Sequence, residues 1–183
     1  ERVKLHQRVG PTLDQLLGGR MVINIISSEL PGEVLPSAPR YRRTLEHMHA
    51  LRTLLDGAPL AAAGEFVNVS VDAPPVRTVS RRSPPLYFGG LSDDAREVAA
   101  AAADVYLMWP DTMQGVAAII DDMRARAAHH GRTLRFGYRV HVVVRETESA
   151  ARAAAQHLVA ALDPEVGDAI RARSLDSQSV GVR

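Results

Sequence analysis

Short apolar segments of strand length alternate with longer segments of helical periodicity along most of the chain. The predicted strands are residues 21–26, 86–88, 105–109 and 134–144, and the predicted helices are residues 3–17, 40–55, 93–103, 112–130, 146–162 and 164–173. Connections long enough to hold a helix join parallel strands, whereas hairpin strands need only a short turn. The pattern therefore predicts a parallel α/β sheet, either a small doubly wound sheet or part of a (β/α)8 barrel.

The number of predicted strands is too small for a closed barrel. Eight strands and typically about 250 residues make a complete (β/α)8 barrel, whereas this chain has 183 residues. We expect a single domain over residues 1–183, which is either a small open sheet or only the middle strands and helices of a barrel whose other parts are missing. Residues 65–71 alternate in polarity and predict an edge strand or one arm of a hairpin, and residues 73–85 predict an irregular surface connection.

Composition excludes several classes of protein. Hydrophobic residues make up 46% of the chain and charged residues 23%, which is typical of a folded domain. The net charge of +1 favours neither nucleic acid nor a membrane surface as a partner. The chain has no cysteine, so disulfides, thiolate metal sites and a cysteine nucleophile are excluded, and its seven histidines form no pattern typical of a metal site. We expect a soluble protein of the cytoplasm.

An arginine and a histidine interrupt the longest predicted strand. Side chains alternate along a strand, so Arg139 and His141 should share one face while Tyr138 and Val140 share the other. A buried arginine without a partner costs several kcal/mol. The pair is therefore expected to face a polar cavity, a ligand or an acid, unless the strand lies at an edge and both residues contact solvent.

Two glycines and a serine follow the predicted strand at residues 86–88. The segment reads Gly89-Gly90-Leu91-Ser92. Free N–H groups and the positive end of a helix dipole make such a turn suitable for a phosphate. The same residues also form an ordinary tight turn before a helix capped by Ser92, and Asp93 and Asp94 would repel a phosphate if they pointed at it. Both interpretations remain open from the residues alone.

The chain's one tryptophan, Trp109, is placed at the C-terminal end of a predicted strand. Active sites of parallel α/β proteins lie at this end of the strands. Trp109 is therefore either part of a site or, as is commoner for a lone tryptophan, part of the core.

Seven stretches, taken in order, carry a resemblance to a known family. They are residues 12–20, 23–26, 40–41, 85–90, 104–109, 131–137 and 139–147, with a final match at Asp176-Ser177 and Ser179-Val180-Gly181. The most specific string is RFGYRVHVVVRET, residues 135–147. Together they resemble the bacterial luciferase-like flavin monooxygenases, and most closely the FMNH2-dependent alkanesulfonate monooxygenases.

The resemblance implies a partial (β/α)8 barrel of the luciferase-like type, with an active site at the C-terminal ends of the strands. It also implies a two-component enzyme that takes reduced FMN from a separate NAD(P)H-dependent FMN reductase. With O2 as co-substrate, such an enzyme converts an alkanesulfonate or a similar organosulfur compound to an aldehyde and sulfite.

The resemblance further implies roles for individual residues. Arg139 and His141 align with a catalytic pair at the flavin and substrate pocket, where an arginine suits an anionic sulfonate and a histidine exchanges protons near neutral pH. The turn at residues 89–92 aligns with the turn that receives the FMN phosphate. Ser27 and Trp109 are expected to line the substrate pocket.

Some positions depart from the family pattern. Ser27-Ser28-Glu29 replaces a usual Thr-Gly-Gly-Asp, Leu91 replaces a serine and Pro110 replaces a glycine. The family's N-terminal strands and its later mobile loop, which carries an arginine, have no counterpart in the sequence. A half barrel would expose its interior and two sheet edges, so we expect a homo-oligomer, a partner chain or a longer parent protein.

These departures keep two other functions open. The first is a truncated, non-catalytic luciferase-like paralogue that acts through self-assembly or assembly with a partner. The second is an enzyme that uses a deazaflavin instead of FMN, as other branches of the superfamily do.

Overall fold

The structure is a computed structural model that describes residues 2–27 and 35–173. Its helices are α1 (Arg2–Leu16), α2 (Ser37–Leu55), α3 (Asp93–Ala102), α4 (Met113–His129), α5 (Glu148–Ala160) and α6 (Pro164–Arg173). Its strands are β1 (Ile23–Ile25), β2 (Leu60–Ala63), β3 (Asn68–Val71), β4 (Leu86–Gly89), β5 (Val105–Met108) and β6 (Arg135–Tyr138). The departure from the family pattern at Ser28-Glu29 and the family match at residues 176–181 lie outside the described residues.

Four of these strands form one parallel sheet in the order β1-β4-β5-β6. In the register of this sheet, Ile25 pairs with Phe88, Phe88 with Tyr106, and Tyr106 with Phe136. Helix α3 connects β4 to β5, and α4 connects β5 to β6. The predicted parallel α/β architecture is confirmed. The order is that of neighbouring strands in a (β/α)8 barrel.

The core lies where α2, α3 and α4 cover one face of the sheet. The residues at its centre are Met48, Leu86, Phe88, Val98, Ala99, Tyr106, Met108 and Met123, none more than 4% exposed. Helix α3 contributes mainly alanines to this core, and their short side chains allow the helix to lie close to β4 and β5.

Leu107, which alternates with the core-facing Tyr106 and Met108 on β5, lies between two glycines of the neighbouring strands. Gly89 and Gly137 are its partners in the register of β4 and β6. A Cβ atom on Gly89 would be 2.6 Å from the carbonyl oxygen of Leu107, and one on Gly137 would be 2.7 Å from its Cδ2. The first contact is with rigid backbone, so position 89 requires glycine. The second contact could be relieved by movement of the Leu107 side chain.

Helix α1 is fastened to the connection before β4. Asp14, only 2% exposed, accepts a hydrogen bond from the N–H of Val79 at 2.9 Å. Gln15 donates to the carbonyl oxygen of Arg77 at 2.8 Å. The predicted irregular connection at residues 73–85 is confirmed. Pro11 lies inside α1, which runs through it without a break.

Only the second strand of the hairpin formed by β2 and β3 was predicted. Strand β3 confirms the predicted hairpin arm, and it pairs antiparallel with β2. Strand β2 was not predicted, because its sequence Leu60-Ala61-Ala62-Ala63 is rich in alanine, which is depleted in strands. Glu46 of α2 binds the turn by accepting from the N–H groups of residues 65, 66 and 67 at 2.8–3.0 Å. These hydrogen bonds, the one from Phe66 above all, lower the pKa of the Glu46 carboxyl.

Two predicted boundaries were wrong. The strand predicted at residues 134–144 ends at Tyr138. Among the described residues β6 has a neighbouring strand on one side only, and alternating polarity along the sequence does not by itself provide a partner for backbone hydrogen bonds. Helix α2 begins at Ser37 instead of Arg40, since Pro39 falls in its first turn, where a proline needs no hydrogen-bond donor.

Two methionines of α4 offer a matched test of the core. Met123 is 0% exposed and Met113 is 86% exposed. We expect Met123→Ala to lower the free energy of unfolding by about 2–5 kcal/mol, since it leaves a cavity. Met113→Ala should change it by less than about 0.5 kcal/mol. Urea denaturation followed by circular dichroism measures both, and equal losses would show that α4 does not pack as described.

Candidate functional site

The loops that follow the four parallel strands leave the sheet at one edge, because parallel strands all end on the same side. Ser27 follows β1, residues 89–92 begin at the last residue of β4, Trp109 follows β5, and Arg139 follows β6. The structure therefore brings candidates from four separate stretches of sequence to one edge of the sheet. We call residues 89–92 the glycine turn.

The glycine turn lies tightly against the start of α3. A Cβ atom on Gly90 would be 2.5 Å from the Cβ of Ala95. The carbonyl oxygen of Gly90 accepts a hydrogen bond of 2.6 Å from the hydroxyl of Tyr106. Close packing thus requires glycine at position 90, as at position 89, whether or not a ligand binds.

Ser92 is the N-cap of α3, as predicted. Its Oγ accepts a hydrogen bond from the N–H of Ala95, and its backbone is extended. The N–H groups at the start of a helix have no acceptor within the helix, and they carry its partial positive charge. The turn therefore offers backbone donors to an anion.

The two acids in the first turn of α3 are each bonded to another helix. The Oδ1 of Asp93 accepts from Arg126 of α4 at 2.8 Å. The Oδ2 of Asp94 accepts from the hydroxyl of Ser37 of α2 at 2.6 Å. The repulsion that these carboxylates would exert on an anion is thus partly offset, for Asp93 by the charge of Arg126.

Arg126 belongs to a network of ion pairs between α3 and α4. Asp122 accepts from Arg126 at 2.9 Å and from Arg96 at 3.0 Å. Burial acts to raise the pKa of the Asp122 carboxyl, but the hydrogen bonds from the two arginines outweigh it and the pKa is lowered. The bond to Asp122 is in turn the main cause of the raised pKa of Arg126. The network keeps both helices in a fixed relation behind the glycine turn.

Arg139 lies over the ring of Trp109. The guanidinium carbon is 4.6 Å from the ring centroid, a typical cation–π distance. The N–H of Arg139 donates to the carbonyl oxygen of Met108 at 3.0 Å, one residue beyond the end of β6. Trp109 is 48% exposed, so it is not a core residue.

His141 does not share a strand face with Arg139. Strand β6 ends at Tyr138, before both residues, and His141 is exposed in the irregular segment that follows. The prediction that these two side chains share a strand face was therefore wrong, although both residues follow the C-terminal end of β6.

Ser27 contacts helix α2. Its hydroxyl is hydrogen-bonded to that of Thr44 at 2.8 Å, and Thr44 is 8% exposed. One helical turn earlier, Tyr41 packs edge-on against Phe88 with ring centroids 6.3 Å apart. Helix α2 thus forms the wall of the site beside β1 and β4.

Sequence reasoning missed the side chains that support the glycine turn. Tyr106 falls within the predicted strand at residues 105–109 and Arg126 within the predicted helix at residues 112–130, and neither was singled out. The hydroxyl of a tyrosine inside an otherwise apolar strand was the available signal, because a buried hydroxyl needs a partner. Arg126 gave no such signal.

An open cavity of about 390 Å³ lies at the opposite ends of the strands. Its lining residues are Arg52, Ser83, Pro85, Asp104, Thr133 and Arg135. Arg52 is paired there with Asp104 at 2.8 Å, and Asp104 also accepts from the N–H of Leu86. This ion pair holds the N-terminal ends of the strands together.

Within residues 2–27 and 35–173, no three histidine, aspartate or glutamate side chains are grouped closely enough to hold a metal ion. None of the helices described there combines the length and the apolar character that a membrane span requires.

Residues 10–180 match the family described as Luciferase-like monooxygenase. The chain belongs to this family, and the resemblance found in the sequence is confirmed.

Two curated relatives of the chain carry a more specific name than the family does. It is 58% identical over 179 residues to sulfoquinovose monooxygenase of Novosphingobium aromaticivorans, and 48% identical over 180 residues to sulfoquinovose monooxygenase of Agrobacterium fabrum. These matches cover 94% and 96% of this chain but 49% and 46% of the relatives. The chain thus spans about half the length of the curated relatives it matches.

Solved structures share the fold at low sequence identity. Riboflavin lyase (RcaE) superposes with a TM-score of 0.81 at 17% identity, over 94% of this chain and 45% of that one. DmoA from Hyphomicrobium sulfonivorans superposes with a TM-score of 0.75 at 22% identity, over 91% of this chain and 43% of that one. EDTA monooxygenase from Chelativorans sp. BNC1 superposes with a TM-score of 0.77 at 17% identity, over 96% of this chain and 47% of that one. These structures share the parallel α/β fold of this chain over the part that superposes.

Trp109 reports directly on Arg139, because the chain has one tryptophan. We expect Arg139→Gln to shift the tryptophan emission to longer wavelength, since the ring loses its guanidinium cover and contacts more water. Arg145→Gln serves as control, because Arg145 bonds to the carbonyl oxygen of its neighbour Val144. An unchanged spectrum in Arg139→Gln would contradict the stacking.

Proposed function

We propose that the chain is part of a flavin-dependent monooxygenase that removes sulfite from a sulfonated sugar of the sulfoquinovose type. The 58% identity to a sulfoquinovose monooxygenase over nearly the whole chain carries this proposal. Reduced FMN is the proposed cofactor, supplied by a separate NAD(P)H-dependent reductase, which places the reaction in the cytoplasm. O2 is the co-substrate, and an aldehyde and sulfite are the products.

The glycine turn is the proposed site for the FMN phosphate. Free N–H groups at the start of α3 support an anion at this point, and so does the ion pair that offsets part of the charge of Asp93. When bound, reduced FMN supplies the two electrons with which one oxygen atom of O2 goes to the substrate carbon and the other to water.

Arg139 is proposed to bind the sulfonate, and Trp109 to hold its guanidinium. A guanidinium presents a planar set of donors that suits a sulfonate, and its position over the ring limits the directions in which it can point. His141 is proposed to exchange a proton near the substrate, since an imidazole titrates near neutral pH. Ser27 is proposed to line the substrate pocket, oriented by Thr44.

Further barrel strands are proposed to pair with β1 and β6. Both lie at the ends of the described sheet, and each has one strand neighbour there. Exposed strand edges normally pair or are covered. A homo-oligomer, a partner chain or further parts of the same polypeptide would supply these strands. The second candidate function is a non-catalytic paralogue that acts through assembly at these two strand edges.

Sulfite release distinguishes these two functions. The chain is supplied with an FMN reductase, NAD(P)H, O2 and sulfoquinovose, and sulfite is measured with time. Sulfite that depends on both flavin and sulfoquinovose supports the oxygenase. Flavin binding without sulfite supports the non-catalytic paralogue.

The phosphate site is tested by two substitutions of the same cap residue. Both Asn and Asp cap a helix about as well as Ser, so Ser92→Asn and Ser92→Asp should each retain α3. Only Ser92→Asp adds a negative charge beside the phosphate, and it should weaken the binding of reduced FMN at least about tenfold more than Ser92→Asn does. Anaerobic titration followed by flavin fluorescence measures the two affinities. Equal affinities would place the phosphate elsewhere.

A further inference from the structure

The hydroxyl of Tyr106 is placed directly under the glycine turn. The Tyr106 side chain is 0% exposed on β5, and its hydroxyl donates to the carbonyl oxygen of Gly90 at 2.6 Å. The bond joins two neighbouring strands at the point where the chain leaves the sheet for α3. Burial is the main cause of the raised pKa of this hydroxyl, so the hydroxyl is protonated and can act as the donor.

Filling the core does not require this hydroxyl. A phenylalanine ring would occupy the same space in β5 and would bury no polar group, whereas burial of a hydroxyl is favourable only when it has a partner. The hydroxyl is bonded to the peptide that follows Gly90, and it also interacts with the side chain of Arg96 on α3.

We propose that Tyr106 is a positioning residue for the FMN phosphate and acts by fixing the peptide between Gly90 and Leu91. The inference rests on the function proposed above. In a planar trans peptide the carbonyl oxygen and the N–H group point in opposite directions. With its oxygen held towards β5 by Tyr106, the peptide turns the N–H of Leu91 away from the sheet, next to the first N–H groups of α3.

This arrangement accounts for Leu91, which departs from the serine usual in the family. The donor that Tyr106 orients is the backbone N–H of residue 91, and every residue except proline has one. Packing around the turn limits the movement of the same peptide, since Gly90 has no room for a side chain beside Ala95.

The test compares reduced FMN with reduced riboflavin, which lacks the phosphate, in anaerobic titrations of the full chain. We expect Tyr106→Phe to weaken FMN binding about tenfold, the effect typical of one lost hydrogen bond to a buried group. Riboflavin binding should change less than about twofold. Tyr138→Phe is the matched control, because its hydroxyl bonds to the backbone of Asp111 and not to the glycine turn. It should leave the ratio of the two affinities unchanged.

Each other outcome overturns the proposal. A folded Tyr106→Phe protein that keeps the wild-type ratio, or that loses affinity for both flavins equally, excludes a role at the phosphate. Loss of a cooperative thermal transition in Tyr106→Phe shows that the hydroxyl serves the fold instead. A wild-type chain that binds FMN no better than riboflavin overturns the proposed phosphate site as well, which separates the two failures.

Discussion

The parallel hydrogen bonding of β1, β4, β5 and β6 is the constraint on which the rest of the structure depends. It requires a helix between successive strands, and those helices bury one face of the sheet and so create the core. It also means that all four strands end on the same side of the sheet. Residues as far apart in sequence as Ser27 and Arg139 reach one site for this reason alone. The site is thus a consequence of chain direction, before any contact between its side chains.

Helix stability and the proposed phosphate site make opposite demands at the start of α3. Acids in a first turn favour the helix dipole, but they would repel a phosphate at the same place. Asp93 is paired with Arg126, which offsets part of its charge, whereas Asp94 accepts a hydrogen bond from the neutral hydroxyl of Ser37 and keeps its charge. The ion pairs behind the turn are partly exposed, and pairs of this kind stabilise folding little. Their effect lies in the electrostatics of the site.

Much of this fold could be predicted from the sequence, because apolar periodicity and the residues that end helices are local signals. The cap at Ser92, the parallel strands and the presence of a tight turn before α3 were predicted correctly for that reason. Strand β2 was not, since its alanines take up strand structure only by pairing with β3 beside α2. The length of β6 and the placement of His141 depend on a neighbouring strand, which alternation cannot reveal. Likewise, the bond from Tyr106 to Gly90 joins two strands and has no local pattern.

The hairpin of β2 and β3 stands apart from the four-stranded ladder and is bonded to α2 through Glu46. Its turn contributes no hydrogen bond to the parallel sheet, so the sheet does not depend on how many residues the turn contains. An insertion among residues 65–67 would break the three bonds to Glu46 and separate the hairpin from α2, while the hydrogen bonds of the parallel sheet would remain in place. The hairpin could therefore detach from the domain without loss of the sheet that carries the glycine turn.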